Sequence, residues 1–173
     1  MLILASASPR RKEIFEKMGF DFSICPSDKE PETLIDLDAK EQTFVSAKIK
    51  AEDIFSQNED CIVIGADTVV SINGSVLGKP KNDEDAFNML KSLSGKRHEV
   101  ITSVYVCSKE KCCGFTETTE VEFFDLTDDE IKEYLKSGEH KDKAGAYAVQ
   151  GLGFRFVKGI FGDYYNVVGF PAA

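Results

Sequence analysis

Apolar and polar positions along the chain follow two periods, one typical of strands and one of helices. Residues 2–5 and 61–70 are apolar runs rich in β-branched side chains, and they predict buried strands. Residues 99–108 and 115–126 alternate apolar and polar side chains on either side of a lysine-containing turn, which predicts a long antiparallel pair. Shorter strands are predicted over residues 20–25 and 154–157.

Four helices are predicted from apolar residues at helical spacing together with capping residues. They are expected between Ser8 and Gly19, over about 39–57, between Asn82 and Gly95, and between Thr127 and Gly138. Ser8 suits an N-cap, Pro9 the first helical position and Gly19 the C-terminal end. The pair Asn73-Gly74, which lies between two apolar runs, predicts a type I′ hairpin turn.

One carboxylate, Asp67, interrupts the most apolar strand of the chain. An ionised acid in a buried strand is costly unless a cation pairs with it or a metal binds it. Charged side chains that could supply such partners occur near other element ends: Arg10, Arg11, Glu30, Lys48, Lys50, Lys79 and Lys81. A carboxylate that caps a turn or pairs with one lysine is the simpler alternative, but this number of charged residues favours a functional site.

Two serines and two arginines gather where the first strand meets the first helix. Ser6, Ser8, Arg10 and Arg11 lie within six residues. Free backbone N–H groups and the positive end of the helix dipole attract anions at such a junction, and arginine adds bidentate donors for phosphate. The pattern favours a phosphate site over an ordinary capped helix with solvated arginines.

Two lysines of the second helix are candidates for the same site. On a helical wheel Lys48 falls near the apolar stripe, and Lys50 lies to its side. A lysine at the edge of a buried face usually extends its stem along that face, but it can also point its ammonium group into a cleft. Residues 26–38 form a polar acidic segment that contains Glu30, which by composition alone predicts a solvated loop.

Composition and charge restrict the classes of function. The 173 residues suit a single domain over 1–173, and 42% hydrophobic residues are enough for a real core. The net charge of −9 opposes binding to a nucleic acid polymer. The pattern predicts neither a signal peptide nor a membrane segment, so a cytoplasmic protein is expected. The five cysteines form no C-x-x-C pair, which indicates reduced thiols and no zinc site.

Five motifs occur in one order along the chain and carry a resemblance. They are ASASPRR at 5–11, IGADTV at 64–69, LGKP at 77–80, DKAGAY at 142–147 followed by QG at 150–151, and NVVG at 166–169. In these motifs the chain resembles the Maf family of nucleoside triphosphate pyrophosphatases. The resemblance extends over essentially the whole sequence, and each motif alone is weak.

The resemblance implies a fold, a reaction and a cofactor. The implied fold is α/β/α, of the inosine-triphosphatase-like kind, with a mixed twisted sheet and a cleft between two lobes. The implied reaction is hydrolysis of a nucleoside triphosphate between the α- and β-phosphates, which yields the monophosphate and pyrophosphate. The implied cofactor is a divalent metal, Mg²⁺ or Mn²⁺. The resemblance also leaves room for a homodimer.

The resemblance assigns roles to the charged residues. Asp67 would accept the proton of the attacking water, and it would share a metal with Glu30. The triphosphate site would be lined by Ser8, Arg10, Arg11, Lys50 and Lys79. The wheel favours Lys48 and the family motif favours Lys50, so both stay candidates, with more weight on Lys50. The chemistry agrees, because triphosphate hydrolysis needs cations, a metal and a carboxylate that orients water.

Three positions divide the family by substrate. Arg10, Thr68 and Gln150 resemble the group that acts on dTTP and UTP, and a glutamine amide can pair with the O4 and N3–H edge of uracil or thymine. One alternative is a 7-methyl-GTP pyrophosphatase. The other is a nucleotide-binding regulator linked to septum formation that does not turn its ligand over, although a pure binder has no need of Asp67 among the cations.

Overall fold

The computed structural model describes residues 1–31 and 37–173, which form one mixed sheet with helices on both faces. The strands are β1 (Leu2–Leu4), β2 (Phe22–Ile24), β3 (Ile62–Ile72), β4 (Ser75–Leu77), β5 (Arg97–Cys107), β6 (Cys112–Phe123) and β7 (Val157–Phe161). The helices are α1 (Pro9–Lys17), α2 (Ala39–Phe55), α3 (Asp83–Leu93), α4 (Asp128–Lys136) and α5 (Tyr164–Val168). Short 3₁₀ helices occupy Glu139–Asp142, Ala144–Ala146 and Leu152–Phe156.

The long central strand β3 has one fully paired edge and one interrupted edge. The strand order is β2-β1-β3-β5-β6-β7, and β4 pairs only with the end of β3. Along one edge, β5 pairs antiparallel with β3 from Val63 to Ser71. Along the other edge, β1 covers Ile62 to Ile64 and β4 covers Val70 to Ile72. Within the described part of the chain, residues 65–69 therefore have no strand partner on that side.

The two faces of the sheet carry different helices. On β5, the hydroxyl of Ser103 donates to Thr43 of α2, whereas the hydroxyl of the adjacent Thr102 donates to the carbonyl of Asn166 in α5. Successive strand residues point to opposite faces, so α2 and α5 cover opposite sides. Gly65 lets α2 approach closely, because a Cβ there would lie 2.3 Å from the carbonyl oxygen of Ala47. This arrangement confirms the α/β/α architecture.

Two apolar clusters divide the molecule into lobes. One cluster joins Leu90 of α3 and Ile131 of α4 to Phe123 and Phe156. The other joins α1 to the first part of the sheet, and its members include Leu4, Ile14, Phe15, Ala66 and Phe170. The expected cleft lies between these lobes, beside the unpaired edge of β3.

Local signals in the sequence account for most element ends. Asn82 and Thr127 cap α3 and α4 with their side chains as expected, and Thr127 forms a capping box with Glu130. Asn73 and Gly74 have φ angles of 50° and 78°, which matches the expected hairpin turn between β3 and β4.

Three expectations need comment. The strand expected over 154–157 is wrong in its bounds: β7 runs from Val157 to Phe161, and residues 152–156 are a 3₁₀ helix whose first amides are capped by the carboxylate of Glu139. Of the expected acidic loop over 26–38, residues 32–36 lie outside the described residues. No helix in the described part of the chain is long and apolar enough to cross a membrane. The cytoplasmic location and the homodimer stay predictions.

Candidate active site

A cavity of about 720 Å³ lies between the two lobes. The unpaired stretch of β3 forms one wall, the β1–α1 junction another, and the segment between α4 and β7 a third. Nine of the ten predicted site residues line it: Ser8, Arg10, Arg11, Glu30, Lys50, Asp67, Thr68, Lys79 and Gln150. The fold thus brings together side chains that are up to 142 positions apart in the sequence, from Ser8 to Gln150.

Asp67 is paired with a lysine from the helix above it. It lies on the unpaired stretch of β3 and faces α2, and its Oδ1 accepts a 2.8 Å hydrogen bond from Nζ of Lys50. The same ammonium group lies 3.2 Å from Oε1 of Glu30. The Lys50 side chain is only 13% exposed, so the pair is sheltered from solvent screening. Among the described residues, no side chain donates to Oδ2 of Asp67, and Asp67 lines the cavity.

Lys48 does not belong to this group. It is exposed, and its ammonium group lies 3.8 Å from Oε1 of Glu52 and 6.0 Å from the ring centroid of Tyr105. It is absent from the cavity wall, while Lys50 points into the cavity. The helical wheel was therefore wrong about which lysine reaches the cleft, and the placement of Lys50 agrees with the motif.

Arg11 uses its guanidinium group to join three segments of the protein. Nε donates to the carbonyl of Gly169 at 2.8 Å, NH1 to Oγ of Ser6 at 3.0 Å, and NH2 to Oγ1 of Thr68 at 2.9 Å. A planar fork with several donors suits such a junction better than a single ammonium group. Arg11 thus fixes α1 against β3 and against the end of α5. Its predicted role as a phosphate ligand is accompanied by a structural one.

The hydroxyl of Thr68 makes two hydrogen bonds within the protein. It accepts from Arg11, and it lies 2.9 Å from Oγ1 of Thr102. Because Thr102 already donates to the carbonyl of Asn166, Thr68 must be the donor between the two threonines. Thr68 therefore connects Arg11, through Thr102, to α5. Its hydroxyl hydrogen is not available to a ligand.

The two adjacent arginines have different electrostatic surroundings. Arg10 donates from Nε to the carbonyl of Val168 at 3.3 Å, so consecutive carbonyls at the end of α5 hold both arginines. Burial lowers the pKa of both guanidinium groups. Asp67 opposes that effect for Arg11, whereas Asp142 opposes it for Arg10. Both guanidinium groups stay charged.

Ser8 and Lys79 present polar groups that the described residues leave without partners. Ser8 occupies the N-cap position of α1, yet its side chain makes no capping bond. Its hydroxyl therefore faces the cavity at the positive end of the helix. Lys79 is exposed in the loop after β4 and forms no ion pair within the described part of the chain. Both groups are available to an anion.

Comparison with known proteins decides the family. The family model described as Maf-like protein matches residues 1–173. The chain belongs to the Maf family. A dTTP/UTP pyrophosphatase from Thermococcus kodakarensis is 50% identical over 173 residues, which cover 99% of this chain and 91% of that protein. A dTTP/UTP pyrophosphatase from Halalkalibacterium halodurans is 46% identical over 170 residues, which cover 98% of this chain and 90% of that protein.

A solved structure supports the fold alone. The Ham1 protein of Staphylococcus aureus aligns with a TM-score of 0.52 at 15% identity, over 90% of this chain and 79% of that one. With the α/β/α layers and the mixed sheet, this likeness confirms the fold class expected from the Maf resemblance.

The divalent metal implied by the Maf resemblance can be tested against the carboxylates of the cavity. The described residues contain no group of three or more His, Cys, Asp or Glu side chains that could hold a metal. Glu30 and Asp67, however, both lie within 3.2 Å of the single cation of Lys50, so together they bracket a positive charge. Mg²⁺ commonly uses one or two carboxylates and takes its other ligands from substrate phosphates and water. The donor set fits that mode of binding.

Two residues of the Maf motifs line the cavity although they were not predicted as site residues. Asp142 and Tyr147, the two ends of the 142–147 motif, line the cavity. Tyr147 is held from behind by His98, whose Nε2 lies 2.7 Å from its hydroxyl oxygen. Burial lowers the pKa of His98 to about 4, so this histidine is neutral near neutral pH. Membership of the motif was the only available signal, because pattern and spacing did not separate these residues from core positions.

Proposed function

We propose that this Maf protein hydrolyses dTTP and UTP between the α- and β-phosphates, releasing the nucleoside monophosphate and pyrophosphate. One observation carries the proposal: Asp67, the cations of Arg10 and Lys79, and Gln150 all line a single cavity. Relatives that are 46–50% identical over nearly the whole chain bear the name dTTP/UTP pyrophosphatase.

Asp67 is the proton acceptor in this proposal. Lys50 fixes Oδ1, and Oδ2 is directed into the cavity, where it accepts a proton from the water that attacks phosphorus. A carboxylate placed in this way contributes about 10²–10⁴-fold to the rate. β5 pairs with the residues of β3 that precede and follow Asp67. The general base is therefore carried by a rigid strand and is positioned before substrate binds.

The cations and the start of α1 bind the phosphates. Negative charge grows on the leaving pyrophosphate as the bond breaks, and fixed donors stabilise it without reorganisation. Arg10, Lys79 and the hydroxyl of Ser8 supply these donors, together with the first backbone amides of α1. Lys50 reaches the same region from α2 and links the phosphate site to the base.

Glu30 and Asp67 would hold a divalent cation, Mg²⁺ or Mn²⁺. When bound, such an ion neutralises phosphate charge and orients the phosphoryl oxygens. Glu30 is 69% exposed at the mouth of the cavity, and Asp67 lies deeper, so the two carboxylates approach a bound triphosphate from different depths.

Gln150 would recognise the base. Its amide both donates and accepts, so it matches the O4 and N3–H edge of thymine and uracil. A positively charged 7-methylguanine instead favours a carboxylate at this position. A site built to hydrogen-bond one edge discriminates against a base that leaves its polar groups unpaired. The proposal therefore includes a preference for dTTP and UTP over 7-methyl-GTP.

A side-by-side assay tests the reaction and the preference. The protein is incubated with Mg²⁺ and dTTP, UTP, dGTP or 7-methyl-GTP, and pyrophosphate and monophosphate are quantified. We expect the highest kcat/KM for dTTP and UTP. A higher value for 7-methyl-GTP would overturn the base preference, and release of orthophosphate without pyrophosphate would overturn the site of cleavage.

Asp67→Asn separates an enzyme from a regulator that only binds nucleotide. The substitution keeps the shape of the side chain and removes the base, so turnover should fall by about 10²–10⁴-fold. Binding of dTTP, measured by calorimetry, should persist because the phosphate ligands remain. A wild-type protein that binds dTTP but releases no pyrophosphate would instead indicate the regulator of septum formation.

A further inference from the structure

The segment that carries Gln150 is not held in place by hydrogen bonds from the Gln150 side chain. Gln150 is half-buried in the cavity wall, and its amide makes no hydrogen bond within the described part of the chain. The next residue, Gly151, has a φ of 105°, a conformation that favours glycine. A free amide next to such a turn recognises one edge of a base only if another group fixes the turn.

The carboxylate of Glu139 is that group. Oε2 accepts from the backbone amide of Leu152 at 2.7 Å, and Oε1 accepts from the backbone amide of Gly153 at 3.1 Å. The hydroxyl of Tyr134, which is buried in α4, donates to Oε1 at 3.1 Å. One side chain thus fixes the two amides that follow the turn and ties them to the core of the second lobe.

The turn is shaped around this carboxylate. A Cβ on Gly151 would lie 2.4 Å from Oε2 of Glu139, so only glycine allows the approach. Gly153 packs equally closely, because a Cβ there would lie 2.6 Å from the carbonyl oxygen of Ala148. Backbone amides fixed by a charged acceptor make short and strong hydrogen bonds. The position of Gln150 is therefore set by Glu139 and by two glycines that leave room for it.

We propose that Glu139 is a positioning residue for base recognition: it fixes the turn 150–153 so that the amide of Gln150 meets the base at the correct distance. The inference rests on the proposed role of Gln150. Glu139 itself does not line the cavity and contacts no part of the substrate site directly. Its effect passes through the backbone of Leu152 and Gly153.

This role predicts that loss of the Glu139 contacts affects recognition of the base and recognition of the phosphates differently. The phosphate ligands Ser8, Arg10 and Lys79 lie on other segments, and Glu139 makes no hydrogen bond to them in the described chain. The charge of Glu139 does oppose the burial that lowers the pKa of Arg10, so Glu139→Asp, which keeps the charge, is measured beside Glu139→Gln. Loss of the Glu139 contacts should weaken recognition of the base and spare recognition of the phosphates. Inorganic tripolyphosphate, which has no base, reports on the phosphate site alone.

The test uses Glu139→Gln, Gln150→Ala and the double variant. An amide in place of the carboxylate keeps the size of the side chain but turns one acceptor into a donor, so at least one of the two backbone bonds is lost. We measure kcat and KM for dTTP and dGTP, the inhibition constant of tripolyphosphate, and Tm. Glu133→Gln is the matched control, since Glu133 is 70% exposed on α4 and its ion pair, at 3.8 Å, is with Arg155, outside the turn 150–153.

For Glu139→Gln we expect kcat/KM for dTTP to fall about 10- to 100-fold, mostly through KM, as for other small misplacements. The ratio of kcat/KM for dTTP to that for dGTP should fall as well, and the tripolyphosphate constant should change less than about 2-fold. The double variant should be no worse than Gln150→Ala, because coupled residues are not additive. Glu133→Gln should match wild type.

Three results would overturn the inference. They are an unchanged KM in Glu139→Gln, equal losses for dTTP and tripolyphosphate, and additive losses in the double variant. If Glu139→Gln does not fold, Glu139→Asp tests the inference with the same measurements. Aspartate keeps the charge, but its shorter side chain moves both carboxylate oxygens away from the backbone amides of the turn. If Gln150→Ala leaves KM for dTTP unchanged, the proposed role of Gln150 fails, whatever Glu139 does.

Discussion

Nζ of Lys50 lies 2.8 Å from Oδ1 of Asp67, although the two residues belong to different elements, α2 and β3. The contact joins the helix on one face of the sheet to the only carboxylate of the central strand. It satisfies the requirement that an ionised group in a sheltered position have a partner. It also fixes one oxygen of Asp67 and leaves the other without a side-chain donor among the described residues.

We expect Lys50→Met to lower kcat for dTTP by about 10²–10³-fold, since the substitution removes a cation that orients the base and faces the phosphates. The methionine keeps the length of the side chain, so packing of α2 should change little. Lys48→Met is the control, because Lys48 is exposed on the same helix and outside the cavity. Steady-state kinetics that gave both variants the same kcat would remove Lys50 from the mechanism.

Arg11→Lys should destabilise the protein more than Arg10→Lys. A single ammonium group cannot reproduce the three hydrogen bonds of the Arg11 guanidinium group, and the loss of two should cost about 2 kcal/mol. For a chain of this size the corresponding fall in Tm is about 4–8 °C. Arg10→Lys, which gives up one bond to the protein, should instead act mainly on KM. Thermal unfolding and kinetics on both variants check the contrast, and equal Tm values would contradict it.

Activity should vanish in EDTA and return on addition of Mg²⁺ or Mn²⁺. Glu30→Gln should raise the Mg²⁺ concentration that gives half-maximal activity by about 10-fold, because the ion loses one of its two protein carboxylates. Asp28→Asn, with the same change of charge in the same loop, should produce a smaller shift. Titration of the two variants with Mg²⁺ gives the answer, and full activity in excess chelator would exclude a metal from the reaction.

The buried histidine predicts a loss of stability in mild acid. The pKa of His98 is lowered by burial to about 4, against 6.5 for an ordinary histidine, so between these values the unfolded chain binds more protons than the folded one. The free energy of unfolding should therefore fall as the pH drops from 6.5 to 4, by roughly 3 kcal/mol from this group alone. Urea unfolding of wild type and His98→Gln at pH 7 and pH 4.5 measures it. The pH dependence should be weaker in the variant, and equal slopes would contradict the prediction.

The sequence predicted the elements well where local chemistry decides them. Capping residues such as Asn82 and Thr127 and the Asn73-Gly74 turn act within a few residues, so their effects are readable from the chain. Most charged residues of the cavity were also predicted, although Asp28 and Asp142 were not, and Lys48, which was predicted, lies outside the cavity. The contacts between the cavity residues were not predicted, because partners such as Arg11 and Gly169 are 158 positions apart.

The error on α2 has a specific physical cause. The apolar stripe used for the wheel was Phe44, Ala47, Ala51, Ile54 and Phe55. Its two phenylalanines are only half-buried. The residues that meet the sheet include Thr43 and Ser46, which are small and polar. At 100° per residue, the centre of the buried face lies roughly 60° from the centre of the predicted apolar stripe. The difference is toward Lys50 and brings that residue to the cavity. Close packing over Gly65 selects small side chains, whatever their polarity.

The 3₁₀ helix at 152–156 was missed for a similar reason. Its residues are apolar enough to resemble a strand, and the determinant of their conformation is a carboxylate 13 positions earlier in the chain. Glu139 carries no pattern that distinguishes it from a solvated glutamate after α4. Only the fold reveals that it binds the amides of Leu152 and Gly153.

The interrupted edge of β3 gives one strand two properties that usually exclude each other. On one side β5 holds residues 63–71 in an unbroken ladder. On the other side residues 65–69 have no strand partner within the described part of the chain, and 67–69 line the cavity. A general base on a mobile loop would have to be ordered again in every catalytic cycle. The conformational entropy of the loop would then be lost with each substrate molecule. Here the ordering is completed once, when the chain folds. The gap in strand pairing leaves the side chain of Asp67, which is already immobile, at the wall of the cavity.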